Sequence, residues 1–479
     1  MPRADAARLD RAPADRWRAL AERLHDIGFS SAYLVALSER LAGVPGHLLH
    51  DGLAALTWAD EQPAALAARL LMLGHAMPGP QVDRVFGALL ARQLADAGLL
   101  EPAPEGWRLA WRLEIVNGLF LLSDLPGAGT DTVMCVGGST QLLAAACYPQ
   151  VDLGRALDLG CGCGTLALLL AMACERVVAT DINPRALALA RVNAALNAIP
   201  NIEFRAGDGF EPVAGERFDL VASQPPFVPL PPDMPPVTYL HGGARGDELA
   251  LRLLRQAPRH LAPGGTAVML SDYPVLASPL GSRLAEALPG VPVQLLHQAA
   301  PTPAATQATL YGGACGGATS QEAHALHVHL RALGIDAVQQ AVVVLRSAGA
   351  GGVYELPVPN EHWSRLHRTD IDRAWDVRQL SPEALRAMRL RPADAAVVRR
   401  IGPLAGTEEP RIELDLADGT WLGPLSVAEA GYQALRTLLE SASVAEALVT
   451  LGGTEVQAAA LDLARQALLR GLVHAAPLA

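Results

Sequence analysis

The stretch that decides the fold is ALDLGCGCGTLALLLA, residues 156–171. ALDLG is a short apolar run of strand character, the next residues set glycines at every second position, and TLALLLA begins a helix at once. A strand that turns through glycines into a helix brings its backbone against a ligand and offers unpaired N–H groups there. The following strand-like run, RVVATD (176–181), ends on Asp181, 23 residues after Asp158. A carboxylate at that place suits the hydroxyls of a ribose. A dinucleotide-binding turn puts its third glycine three residues after its second. Gly160, Gly162 and Gly164 do not, so the spacing predicts a different nucleoside ligand.

Working outward, short β-branched or Leu-rich runs alternate with Ala/Leu-rich helices from about 126 to 350. The expected strands are 156–160, 176–181, 202–208, 218–223, 265–272, 291–298 and 337–347, with a long insertion containing YGGACGGATS between the last two. This predicts an α/β fold: a doubly wound, seven-stranded Rossmann-like domain over 126–350. Residues 1–125 read as helices, one opened by Pro80 and ended by Gly98, followed by two strands around a turn at Pro104 to Gly106. That order suggests a winged-helix-like N-terminal domain. GAGGVYELPVPNEHWSRLHRTDID is rich in charge and turn residues and reads as a connection. Residues 376–479, with the strand-like RIELDLADGTWL and two later helices, predict a small helical or winged-helix-like C-terminal domain, and the terminal modules are where a homodimer is expected.

Composition narrows the chemistry. The chain has 479 residues, is 51% hydrophobic and spreads 44 Gly and 36 Pro along its length, which excludes a disordered, collagenous or coiled-coil protein. All 38 basic residues are arginine, so chemistry needing a Schiff-base or phosphate-loop lysine is excluded. The six cysteines, at 135, 147, 161, 163, 174 and 315, are too irregular for a disulfide framework and point to a reducing cytoplasm. Cys161 and Cys163 are small residues in a tight turn without a second ligand pair, and His324, His327 and His329 share no single helix face, so no metal is expected. Neither a signal segment nor a membrane span is indicated.

The quoted stretch resembles motif I of class I S-adenosylmethionine-dependent methyltransferases. ATDINPRALALARVNAALN (179–197) is similar to that family's second strand and helix, RAGDGFEP (205–212) to its acidic adenine loop, and HLAPGGTAVML (260–270) to its fifth strand. The resemblance covers about 130–350 and implies S-adenosyl-L-methionine as cofactor. It implies that Asp158, Gly160, Gly162 and Gly164 hold the methionine portion, Asp181 the ribose and Asp208 the adenine amino group, with Ile182 and Phe210 flanking the ring.

Ser223-Gln224-Pro225-Pro226-Phe227 stands where amino-methyltransferases, including release-factor glutamine methyltransferases, carry Asn-Pro-Pro-Tyr/Phe. Two prolines of fixed φ hold a backbone carbonyl outward beside a side-chain amide, so that two acceptors orient an N–H₂ group. Positioning of this kind lowers the barrier, and Phe227 stacks on a planar acceptor. Gln224 departs from the usual Asn by one methylene. Tyr239, His241, Arg245 and Asp247 either reach the acceptor or form a helix start with Asp247 as its cap.

The function expected is methyl transfer to a small-molecule or peptide acceptor, at nitrogen. Two alternatives stay open: an RNA or ribosomal/release-factor protein methyltransferase, and a cofactor-sensing winged-helix regulator that binds DNA. Charge opposes nucleic acid as a partner. The net charge is −11, residues 1–110 hold 11 Arg against 13 acids, and residues 376–479 hold 10 against 13. Binding to duplex DNA or generic RNA is therefore expected to be weak at physiological salt. A nanomolar, steeply salt-dependent complex in fluorescence anisotropy would contradict this.

Overall fold

The computed structural model describes residues 4–45, 48–125, 129–148, 153–314, 320–401 and 411–476. Cys315 and the middle of YGGACGGATS lie outside them. The chain divides into two compact units, the first comprising Met1–Ala144, Val151–Leu295 and Pro301–Tyr354, the second Ala145–Gln150, Leu296–Ala300 and Glu355–Ala479.

The central sheet contains β1 (Leu153–Leu159), β2 (Cys174–Asp181), β3 (Ile202–Ala206), β4 (Phe218–Ser223), β5 (Leu261–Pro274), β6 (Pro292–Gln298), β7 (Thr302–Pro303), β8 (Ala337–Arg346) and β9 (Gly352–Val358). Its order is β9-β6-β8-β5-β4-β1-β2-β3, with β7 paired to β8. Strands β3, β2, β1, β4 and β5 run parallel to their neighbours, and β8 is antiparallel to β5. All seven expected segments are strands, and the count of seven is corrected to nine. The two strands that the expected segments do not include are β7, only two residues long, and β9, GVYELPV, which lies in the stretch that reads as a connection. Strand β9 is an edge strand of alternating exposure that tolerates Pro357, so it offers no apolar run to the reader.

The buried β-branched and Leu residues of β1, β2, β4 and β5 explain the parallel centre, because a sheet covered on both faces needs apolar side chains on both. The covering helices include α1 (Thr165–Ala171), all of whose residues are buried, α2 (Pro184–Leu196) and α3 (Glu248–Gln256). Leu253, Leu254 and Ala250 of α3 join one core cluster with Leu157, Val221 and Met269. Along α2, Ala186, Leu189, Val192 and Leu196 join a different cluster, made mainly by the N-terminal residues Leu9, Trp17, Leu20 and Leu24.

Those N-terminal residues form a run of helices from Ala6–Asp10 to Ala88–Ala97, then two antiparallel hairpins where the sequence suggested one. The first pairs Leu100–Ala103 with Gly106–Leu109, the second Arg112–Val116 with Leu119–Ser123. The second turns at Asn117 and Gly118, both with positive φ (50° and 83°), the pattern of a two-residue hairpin that Asn-Gly favours.

The second hairpin is fastened to α2 by side-chain amides. Asn193 Oδ1 accepts from Leu122 N at 2.8 Å while its Nδ2 donates to Leu122 O and to Cys163 O, at 2.9 and 2.8 Å. Asn197, which follows the last turn of α2, repeats the motif with Phe120 N and O at 2.9 and 2.7 Å. Asn193 is fully buried. Arg185 of α2 adds an ion pair with the buried Asp124 and lies over the Trp111 ring.

The second unit holds two small antiparallel sheets, Arg389–Pro392 with Val473–Ala476 and Ala396–Ile401 with Arg411–Leu416 and Leu425–Val427. Helices Glu429–Glu440, Val444–Leu451 and Thr454–Leu469 accompany them. Among the described residues no helix is long and apolar enough to cross a membrane.

Asn193→Ala leaves two backbone carbonyls and one N–H without their partner in a dry core, at about 1–3 kcal/mol for each group left unsatisfied. The variant is expected to lose about 3 kcal/mol of stability or more, read as a lower denaturation midpoint at unchanged slope. Asn193→Ala with wild-type stability would show that the clamp contributes nothing.

Candidate functional site

Strand order reverses between β1 and β4, and in such sheets the crevice at the carboxyl ends of the strands at that point is where ligands bind. A cavity of about 380 Å³ lies there. Its lining includes Gly160, Asp181, Asp208, Gln224, Phe227 and Tyr311.

The glycine turn forms its base. Gly160, Gly162 and Gly164 have φ of 80°, 55° and 86°, a conformation that a Cβ penalises. Thr180 O accepts from both Gly160 N and Cys161 N, at 2.8 and 2.9 Å, so the end of β2 holds the start of the turn. Asp158 Oδ2 accepts from Ala167 N at 2.9 Å and ties α1 back to β1. Burial pushes the Asp158 carboxyl up to about 7, with the Ala167 N–H opposing and Asp181 adding to the rise. Asp181 Oδ2 accepts from Gly162 N at 2.9 Å and its Oδ1 from Asn183 N at 2.8 Å. Burial raises its pKa too. A carboxylate oxygen has two lone pairs, so each oxygen of Asp181 can still accept from a ligand hydroxyl. Gly164 does not line the cavity: a Cβ there would stand 2.9 Å from Ala190 Cβ, so its role is close packing of α2. The Cys161 and Cys163 thiols are free and buried, and burial pushes Cys163 up to about 11, which suits inert packing.

At one end of the cavity Asp208 receives the Arg252 guanidinium on both oxygens, at 2.8 and 2.9 Å. That pairing lowers its pKa. Ile182 is exposed and lines the cavity. Phe210 does neither. It is buried in the core, stacked on His260 at a centroid distance of 4.4 Å and an interplanar angle of 15°, and lies outside the lining. The turn after Asp208 carries its apolar side chain into the protein, where burial is worth most.

At the other end, Ser223 Oγ donates to Leu159 O at 2.7 Å and joins the tips of β4 and β1. Gln224, Pro225, Pro226 and Phe227 follow and all line the cavity. Gln224 Oε1 accepts from Thr140 Oγ1 at 3.1 Å. The Phe227 ring is tilted against Tyr311 at 6.2 Å, and the Tyr311 hydroxyl donates to Asp272 Oδ2 at 2.9 Å. Gln307 and Gln340 also donate to the buried Asp272, whose pKa burial raises. Thr238, which also lines the cavity, donates its N–H to Thr130 O at 3.0 Å.

Of the loop residues, Tyr239 lines the cavity. His241 Nδ1 accepts from Val237 N at 2.9 Å. Asp247 stands at the start of α3 without capping it. It is fully buried and paired with Arg245 and Arg283, and these charges draw its carboxylate away from the helix amides. His329 Nε2 donates to Ala244 O at 2.7 Å. Thr140, Arg252, Tyr311 and Asp272 are the site's neighbours that the sequence reading missed. They reach it across separations of 84 residues (Thr140 to Gln224) and 44 (Asp208 to Arg252) that no local motif marks.

Residues 135–288 match the methyltransferase small domain. This segment is similar to a methyltransferase domain, and S-adenosylmethionine is the methyl donor that the likeness implies. A release factor glutamine methyltransferase of Xylella fastidiosa (strain Temecula1) is 37% identical over 178 residues, 34% of this chain and 60% of that protein. One from Aliivibrio fischeri is 43% identical over 146 residues, 30% and 47% of the two chains. A putative protein N5-glutamine methyltransferase of Methanocaldococcus jannaschii is 36% identical over 121 residues, 24% and 60%. The chain thus spans three fifths or less of the length of these relatives.

The raised Asp158 pKa has a consequence for ligand-free stability. Native Asp158 holds its proton to about pH 7 whereas an unfolded aspartate loses it near about 3.9, so the native state binds more protons between the two. Its contribution is fully present below about pH 4 and is lost as pH rises through about 7. Asp158→Asn, which cannot ionise, is expected to flatten this fall, raising the melting temperature relative to wild type more at pH 8 than at pH 4. An equal change at both pH values would exclude the burial effect.

Proposed function

We propose that this chain is an S-adenosylmethionine-dependent N-methyltransferase that acts on a peptide, protein or small-molecule acceptor. The observation that carries the reading is convergence: the glycine turn, Asp181, Asp208 and Gln224-Pro225-Pro226-Phe227 all meet in one cavity at the strand-order reversal.

The residues fit the cofactor. In this reading Gly160 and Gly162 leave the turn's backbone open to the methionine portion, with the Asp158 carboxylate beside it. Asp181 accepts from the ribose hydroxyls with the lone pairs its two backbone amides leave free. Asp208 takes the exocyclic amino group, and Ile182 covers one face of the base. Bound there, S-adenosylmethionine supplies an electrophilic sulfonium methyl.

Gln224 Oε1 and the Pro225 carbonyl accept the two N–H bonds of the acceptor group, so that its lone pair faces the methyl. As the new N–C bond forms, the methyl–sulfur bond breaks with its electron pair going to sulfur, and one of those protons leaves the nitrogen for solvent. Thr140 fixes the longer Gln224 amide by its hydroxyl. Phe227, backed by Tyr311, offers a face to a planar acceptor. The relatives named for release factor and N5-glutamine methylation favour a protein glutamine, itself a planar carboxamide, as that acceptor. Residues 1–125 and 376–479 are, in this reading, winged-helix-like modules. Helices that lead into paired strands support this for the first.

Two measurements test the proposal. In calorimetry, S-adenosylhomocysteine is expected to bind wild type, and Asp181→Ala to weaken it by about 1.5–3 kcal/mol, the worth of a hydrogen bond to a charged group. Gln224→Ala is expected to keep that affinity while methyl transfer to a glutamine-bearing peptide, followed by mass spectrometry, falls about 100-fold. Loss of cofactor binding and turnover together in Gln224→Ala would move Gln224 out of the acceptor site. An unmodified peptide would remove glutamine as acceptor.

A further inference from the structure

Helix α3 presents one face to the loop that follows β3. Leu249, Arg252, Leu253 and Gln256 stand at positions i, i+3, i+4 and i+7 of that helix, and such residues share a face. Leu249 and Leu253 line the cavity, and Arg252 makes the two-pronged contact with Asp208. The loop is built to receive them. Gly209 has no side chain, and a Cβ there would lie 3.1 Å from Leu253 Cδ2. With Phe210 turned into the core, the loop itself offers no apolar group to a flat ligand, and α3 does.

We propose that Arg252 is a positioning residue for nucleobase recognition: its fork fixes the Asp208 carboxylate so that the remaining lone pairs meet an exocyclic amino group, with Leu253 as the apolar wall beside it. The inference rests on the cofactor reading above. A guanidinium bound to both oxygens takes one lone pair from each and leaves one on each. It also fixes the plane of a carboxylate that is otherwise free to rotate on a half-exposed loop. Preorganisation of that kind adds affinity without a new contact. The ionised carboxylate accepts from an amino group and repels a carbonyl oxygen, so the pair distinguishes adenine from hypoxanthine.

The test uses the full chain and two ligands, S-adenosylhomocysteine and its deaminated analogue S-inosylhomocysteine, in calorimetry. Wild type is expected to prefer the adenine ligand by about tenfold or more, the size of one hydrogen bond to a charged group. Arg252→Gln is expected to weaken the adenine ligand by about threefold to tenfold and the deaminated one less, so that the preference shrinks. Arg252→Lys, a point charge without the fork, is expected to fall between them. Asp208→Asn, whose amide also donates, removes the preference altogether. Equal weakening of both ligands by Arg252→Gln would reduce Arg252 to a structural role, and unchanged affinities would remove it. Tighter binding of the adenine ligand would mean that Arg252 competes with the base. Failure of wild type to bind S-adenosylhomocysteine is a separate result, which ends the cofactor reading and this inference with it.

Discussion

Between Leu159 and Thr165 the backbone reverses from strand to helix and still leaves room for a ligand, and left-handed glycines make this possible. The rest of the first unit is arranged around that turn. Gly164 lets Ala190 approach, which fixes how closely α2 lies against the turn. That distance brings Asn193 onto Cys163 O, and the same amide grips Leu122 of the second hairpin. The N-terminal helices then complete the core on the outer side of α2. One steric allowance thus propagates from the ligand cavity to residues more than a hundred positions earlier.

The site's charges fall into two kinds. Asp158 and Asp272 are buried carboxylates whose hydrogen-bond partners are neutral, and burial raises the pKa of both. Asp208 is half-exposed and matched to a guanidinium, and its pKa falls. Groups of the first kind are costly to ionise and serve geometry: one ties α1 to β1, the other fixes the Tyr311 hydroxyl beneath the acceptor end. The second kind is a charge kept available at the rim.

Local signals were legible and long-range ones were not. The glycine turn, Asp181 and Gln224-Pro225-Pro226-Phe227 each announce themselves within a few residues, because backbone constraints are written where they act. The inner strands were visible as apolar runs for the same reason. Strand β9 alternates exposed and half-buried residues at an edge, so hydrophobicity could not mark it. Phe210 misleads because proximity to Asp208 in sequence says nothing of which way the ring turns, and the core beside His260 claims it. Thr140 and Arg252 belong to other elements and are paired with the site only by folding. Two further local signals lie in the sequence: Asn117-Gly118 marks the second hairpin turn, and Asn193 in the Ala/Leu-rich helix with Asn197 four residues on, at its end, are polar groups that need a reason to be there.

The reason has a further side. Leu119–Ser123 is a short apolar strand, LFLLS, with one strand partner among the described residues, and its other edge would offer unpaired N–H and C=O groups to any passing chain. Asn193 and Asn197 occupy those groups at Leu122 and Phe120 as a neighbouring strand would, using side chains from a helix. A helix cannot be extended sideways by another strand. The two amides therefore end the sheet where it stands, and they give the protein a defence against edge-to-edge aggregation that costs it no extra strand.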